Sequence, residues 1–454
     1  MAALFRAKGG LSQGAFTPLT VSLYRAPCRY NSLSNEGRIS YRIPFDSVEE
    51  PLLREKSIRS DQSPSEPEGG KTQWKSLAVL ASAHMITDAY NNFLPPLLPL
   101  LIQKMNLSLT LAGSLITIRA IASFFTQPAV GYISDRTGMS LFVLFGPLVT
   151  GIFIGLLGVA PSYWFLAICL IFAGIGHSAL HPQGAAMIGD IGRRRAGFFM
   201  SIWMIGGTSG MAVGPLMVTL VVSIFGLAGT VYTIVFAVVI TVFLVRVAPA
   251  PPLRNAGDSY SLKTHLFPKM RLLAPLWFLV VIRSATGMSF LNFLSVLLVQ
   301  KGLSLLTSGF AVSLFTGGGA LGGFLGGTLS DYVGRKKVML ASFLLSPIIL
   351  FLFLKSHGAL SLLLLIVGGM CMWGTTPVLI VAAQEIAPES RTLVSSMMMG
   401  LGWGAGAVLV TVTGLLGDTI GLERALQWIL ILPLIGVALI ALKVKDNKEY
   451  SSSQ

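Results

Sequence analysis

Few ionisable side chains interrupt the long apolar runs of this sequence, and those that do can hold protons or anions. Asp88 lies within the run 76–101, Arg119 within 109–133, His177 and His181 within 162–189, and Arg283 within 273–299. His84, Asp88, Asn91 and Asn92 follow three- and four-residue spacings, so a helix places them on one face. His177 and His181 share a face in the same way, and Trp373, Thr375 and Thr376 lie within the run 359–386. A carboxyl and imidazoles exchange protons near neutrality, and a guanidinium fork binds carboxylates and phosphates. His177 and His181 have metal-ligand spacing, but no third ligand adjoins them in the chain, so neither a metal nor a cofactor is expected. There is no P-loop, Gly-x-Ser-x-Gly or His-Glu-x-x-His, and the cysteines Cys28, Cys169 and Cys371 are scattered, so enzyme classes built on those motifs are excluded.

The elements that carry these residues follow from composition. Of 454 residues, 53% are hydrophobic and 11% charged, against roughly 25% charged in soluble domains. A chain this apolar needs the bilayer as solvent, and about 20 apolar residues make one spanning helix. Apolar segments fall near 76–101, 109–133, 141–159, 162–189, 197–226, 229–247, 273–299, 306–330, 338–354, 359–386, 392–417 and 426–443. Twelve spans result, six on each side of a polar, Pro-rich linker at 248–272. The net charge is +14, and the charged residues sit in the N-terminal tail and in alternate loops, the pattern that sets membrane orientation rather than nucleic-acid binding. The basic loops lie around Arg136, Arg193 to Arg195, Arg246 to Arg271, Arg335 to Lys337, Arg391 and Lys443 to Lys448. Both termini and the linker are therefore expected on the cytoplasmic or equivalent side.

The halves repeat. Laying Gly131 on Gly327 carries Asp135 onto Asp331, Gly138 onto Gly334 and Arg195 onto Arg391. A duplicated six-span unit suits two bundles that rock about a midplane site. The organisation expected is a tail at 1–74, a six-helix bundle at 75–247, the linker 248–272, a second bundle at 273–444 and a polar tail at 445–454.

Gly131-Tyr-Ile-Ser-Asp135-Arg136-Thr-Gly138 and Gly327-Thr-Leu-Ser-Asp331-Tyr-Val-Gly334-Arg335-Lys336-Lys337 resemble the signature loops of the major facilitator superfamily. The first copy has Met139 and Ser140 in place of trailing basic residues, and the second has Tyr332 in place of the first one. Gly206-Gly207-Thr-Ser-Gly210-Met-Ala-Val-Gly214-Pro215 resembles the opening of the antiporter motif of drug:proton exchangers, without its closing glycines. Gly at this spacing equally serves helix packing. The stretches His84 to Leu100, Gln127 to Gly131 and Gly176 to Pro182 resemble the fosmidomycin-resistance type of efflux protein.

The resemblance implies an all-α fold of two pseudo-symmetric six-helix bundles whose first, fourth, seventh and tenth spans line a central cavity. It also implies export of a small, in one reading anionic, solute against protons. Asp88 is then the proton carrier: a buried carboxyl takes up a proton when a cationic neighbour is drawn away by substrate. His84, Asn92, Arg119, His177, His181, Arg283 and Trp373 form the cavity. Gly131, Asp135, Arg136, Gly138, Gly327, Asp331, Gly334 and Arg335 form gating loops, in which a helix-end carboxylate and an arginine make a latch. Each assignment has a plainer counterpart: a fixed Asp88–Arg119 pair, hydrogen-bonded core histidines, bridging asparagines, basic loops that only set topology. The other functional readings are a proton symporter, a uniporter, or a transport-inactive receptor or scaffold of the same fold. A monomer in the lipid bilayer is expected, with no nucleic-acid partner. The basic, acid-free residues 1–35 suit an organellar transit peptide, and Glu49-Glu50-Pro51-Leu52-Leu53 an endosomal, lysosomal or vacuolar sorting signal; a disordered tail is the alternative, and the membrane stays open.

Overall fold

Backbone polar groups in hydrocarbon must be satisfied within the chain, which leaves helices as the spanning element for runs of this length. The computed structural model describes residues 69–137, 141–192, 195–247, 267–388, 394–395 and 397–444, with backbone only at 69–71, 128, 131–132, 134–137, 196 and 267. Among them there are helices and no strand. Most of the N-terminal tail with both its targeting segments, Gly138, Arg391, most of the linker and the last ten residues lie outside the described residues, and so do the side chains of Asp135 and Arg136.

Eleven helical segments are long and apolar enough to cross a membrane. The first-span position is taken by two helices outside that set, Gly69–Asn91 and Leu94–Met105. Its polar residues and the break at Asn92-Phe93 have a local cause. Pro95 and Pro96 open the second piece, where a missing N–H costs no helical bond. Phe93 N–H bonds back to the Tyr90 carbonyl at 3.1 Å. The next five spans are Leu109–Thr137, Leu141–Gly155 with a 3-10 turn to Val159, Tyr163–Gly192, Ala196–Phe225 and Ile234–Val247. The second half runs through Met270–Gln300, Leu305–Val333, Arg335–Lys355, Gly358–Gly374 with Thr376–Ile386, then Met397–Ile420, whose first turn is a π-helix, and Leu422–Lys443.

Within each half the helices close on one another through glycine. Gly206, Gly210 and Gly214 of the fifth span lie against the carbonyls of Ala81, Met85 and Ala89 of the first. Gly318, Gly322 and Gly326 of the eighth span lie against the carbonyls of Ile366, Met370 and Gly374 of the tenth. A Cβ at any of the six would collide with backbone, so the small-residue spacing is the means of close approach.

The halves meet through the second and eleventh spans and through the fifth and eighth. In the first seam Thr117 Oγ1 donates to the Ala407 carbonyl at 2.8 Å. Asp418 of the eleventh span accepts from the backbone N–H of Leu109 at 2.8 Å and of Thr110 at 2.9 Å, and from the Thr110 hydroxyl at 2.6 Å. One half thus caps a helix N-terminus of the other, where orphan N–H groups and the helix dipole favour an anion. The contact sits at the end of the bundle remote from the basic loops, and any opening of that end would have to break it. Loss of such a cap costs about 1 kcal/mol, a population shift of about fivefold. Asp418→Ala should therefore add a longer component to the distance between spin labels at Leu107→Cys and Thr419→Cys, whereas Asp418→Asn should add less.

Candidate functional site

The first span sets His84 and Asp88 one helical turn apart, and the fourth sets His177 and His181 one turn apart. The fold brings both pairs together. Asp88 Oδ2 lies 3.2 Å from His84 Nε2; Asp88 Oδ1 lies 3.1 Å from His177 Nε2 and 3.4 Å from His181 Nε2. The Asp88 and His84 side chains are 8% and 4% exposed, His177 and His181 21% and 24%. The cluster is buried on its first-span side and accessible on its fourth-span side.

Backbone carbonyls decide which ring nitrogens carry hydrogen. His84 Nδ1 lies 2.8 Å from the Trp203 carbonyl and His181 Nδ1 lies 2.9 Å from the His177 carbonyl. A carbonyl only accepts, so both Nδ1 atoms donate, and the Nε2 of a neutral ring is left as a lone pair. Those two lone pairs face an acid that, ionised, is also an acceptor. The arrangement closes only when a cation joins it, either a proton on a carboxyl or imidazole or a metal ion. Three of the residues, His84, Asp88 and His181, offer ligand atoms all within 4.8 Å of one another. The fold thus supplies the third ligand that chain adjacency did not.

Trp203, which the sequence did not single out, and Gly207, named there only within the antiporter-like stretch, shape this cluster. The Trp203 ring stacks on His84 with centroids 3.8 Å apart. Gly207, next along that helix, leaves the room that His84 and Asp88 occupy. Arg119 does not pair with Asp88: its guanidinium donates to the Asn91 carbonyl at 2.6 Å and to the Asn91 side-chain oxygen. The fixed Asp88–Arg119 pair is therefore replaced by three histidines. Asn92 is buried and donates to the Met211 carbonyl at 2.8 Å, tying the first-span break to the fifth span.

The second half carries a cation instead. Arg283 is 2% exposed. Its guanidinium carbon lies 5.0 Å from the Trp373 ring centre and 5.7 Å from that of Trp403. Its side-chain hydrogen bond goes to the Ser284 hydroxyl at 3.3 Å, and Nε and Nη1 have no partner among the described residues. The Thr375 and Thr376 hydroxyls, at the break beside Trp373, are likewise buried and unpartnered there. The register that lays Gly131 on Gly327 lays Asp88 on Ser284, His177 on Trp373 and Gly207 on Trp403. That register is the signal by which Trp403 could have been found.

Of the gating loops, the second copy is described. Arg335 makes a fork to Glu385, with Nε donating at 2.8 Å and Nη2 at 2.6 Å, and Nη2 lies 3.6 Å from Asp331. Gly334, at φ 97°, turns the chain between the eighth and ninth spans. All of these contacts lie within the second half, so this network joins three helix ends and does not itself bridge the halves. Gly327 faces Pro377 of the tenth span.

The family model described as Major Facilitator Superfamily matches residues 80–392 and 276–453. An uncharacterized MFS-type transporter of Bacillus subtilis is 27% identical over 85% of this chain and 95% of its own length. The fosmidomycin resistance protein of Escherichia coli is 25% identical over 84% of this chain and 95% of its own. A bacterial homologue of the human lysosomal transporter Spinster, solved in an inward-facing and occupied conformation, superposes with a TM-score of 0.72 at 14% identity. That match covers 82% of this chain and 97% of the other.

An added methyl at Gly207 meets His84 and Asp88, which Trp203 holds in place, whereas at Gly317 the nearest atom is the Ala212 methyl at 3.8 Å. Gly207→Ala should thus lose about 1–3 kcal/mol of stability by overpacking, and Gly317→Ala should lose none. Thermal unfolding in detergent of the two variants beside the parent checks this.

Proposed function

Because the chain belongs to the major facilitator superfamily, we propose that it is a secondary transporter that exchanges a small organic anion for protons by alternating access. The observation that carries the anion is Arg283. A guanidinium held between two indoles, with two nitrogens unpartnered among the described residues, is stable in a membrane interior only if something anionic or water completes it. A carboxylate or phosphonate accepts two parallel N–H bonds from that fork. The Thr375 and Thr376 hydroxyls suit its remaining oxygens.

Asp88 is the proton carrier in this reading, and His177 and His181 pass the proton between it and the accessible side of the cluster. Protonation neutralises the carboxylate and gives the facing imidazole lone pair a donor. The cluster can then be crossed in either charge state, but not with the same neighbours. Resistance-type relatives support extrusion as the direction. The Lys and Arg bias of the loops supports cytoplasmic placement of both termini. The protein works as a monomer, since each bundle supplies one of the two sites.

Reconstituted protein should be offered phosphonates, organic phosphates, carboxylates and neutral lipophilic drugs. Loss of one charged hydrogen-bonding group of about 1.5–3 kcal/mol corresponds to roughly a 10- to 100-fold drop. Arg283→Gln should lower uptake of the transported anion by that factor, and Arg283→Lys should recover it only in part. Uptake confined to neutral drugs, with Arg283→Gln as active as the parent, would remove the anion reading.

A further inference from the structure

The acid–base cluster of the first half has the dimensions of a metal site. With metal–nitrogen bonds of about 2.0–2.1 Å and metal–oxygen bonds of about 2.0–2.2 Å, neighbouring ligand atoms of a tetrahedral site stand about 3.4 Å apart. Asp88 Oδ2 stands 3.2 Å from His84 Nε2 and Asp88 Oδ1 3.4 Å from His181 Nε2, and ligand atoms of the three residues all lie within 4.8 Å of one another. Side-chain adjustment within that distance brings the three atoms around one ion.

The orientation of the rings agrees. Metal-ligating histidines donate their second ring N–H to a carbonyl or carboxylate, which fixes the tautomer and aims the lone pair. His84 does this to the Trp203 carbonyl and His181 to the His177 carbonyl. Stacking on Trp203 holds His84 further. Both lone pairs are thereby directed at the Asp88 carboxylate, an arrangement that a neutral, cation-free cluster does not stabilise.

We propose that His84 Nε2, His181 Nε2 and the Asp88 carboxylate bind a divalent transition-metal ion, with the fourth position left open. Imidazole nitrogens with one carboxylate favour zinc, cobalt or nickel, whereas calcium and magnesium take oxygen ligands and copper(I) takes sulfur. The ion enters from the fourth-span side, where His177 and His181 are partly exposed. It occupies the same lone pairs as a proton, so metal and proton exclude each other. The site stands on its own geometry and does not depend on what the second half carries.

The test uses the full chain in nanodiscs, purified without a polyhistidine tag, stripped with a chelator and titrated with Co2+. One equivalent should bind per chain, with the intense visible bands of tetrahedral nitrogen and oxygen coordination and no thiolate charge-transfer band. Zn2+ should displace it. His84→Gln and His181→Gln should each weaken binding at least tenfold, and the Cys169→Ser, Cys371→Ser double variant should bind as the parent does. Binding below one equivalent, a pale octahedral spectrum, or affinity unchanged in both histidine variants would overturn the site. The parent spectrum is decisive even where a histidine variant does not fold. Anion uptake by the same preparations keeps the two readings apart: metal binding without transport upholds this site and removes the transport reading, and transport without metal binding does the reverse.

Discussion

An ionised side chain near the centre of a bilayer costs about 2.5–3.5 kcal/mol or more unless it is paired or wetted, and this chain keeps a buried carboxyl group within its first span. Most of the first half can be read as the answer to that constraint. Two histidines on the fourth span and one on the first surround Asp88. Trp203 and backbone carbonyls hold two of the rings. The glycines of the fifth span let it lie against the first closely enough for Trp203 to reach His84, and Gly207 leaves the space in which the cluster sits. The same constraint applied to Arg283 gives the second half a different answer, two indole faces and a hydroxyl in place of a carboxylate.

The duplication makes this difference informative. Matching positions hold Asp88 and Ser284, His177 and Trp373, Gly207 and Trp403. In the proposed exchange, one copy of the unit serves a cation and the other an anion. Coupling then needs no direct contact between the two sites. It needs only that the bundles rock as units and that occupancy of each site changes which arrangement is stable. The seams between the halves hold close glycine contacts, such as Gly113 against the Val410 carbonyl, and hydrogen bonds such as Thr117 to the Ala407 carbonyl, which suit such a motion. Asp418 capping the second span is a contact that this arrangement makes and that the proposed alternate arrangement would release.

Much of the architecture is legible in the order of residues. Apolar run length gives the spans, because a helix is the only element such runs can form in lipid, and the paired Gly-x-x-x-Asp loops give the duplication. The first span is legible in place but not in shape: Asn92-Phe93 with Pro95 and Pro96 breaks it, and its polar face keeps it out of the apolar set. Asp88, the histidines and Arg283 stand out because they are ionisable within apolar runs. Their partners do not stand out. Asp88 meets histidines rather than Arg119, and Arg119 meets Asn91, because which faces oppose each other depends on helix rotation and on the glycine contacts. Trp203 and Asp418 look like ordinary span residues until the chain is folded, since their roles come from residues far off in sequence.

The claim at the centre of this account is that the cluster around Asp88 and the guanidinium of Arg283 drive one another. A pH gradient imposed across proteoliposomes measures this directly, with a radiolabelled anion of the transported class on both sides at equal concentration. Wild type should concentrate the anion, inverting the gradient should invert the accumulation, and Asp88→Asn should equilibrate the anion without concentrating it. Accumulation indifferent to the gradient, or an Asp88→Asn variant that concentrates the anion as wild type does, would contradict it.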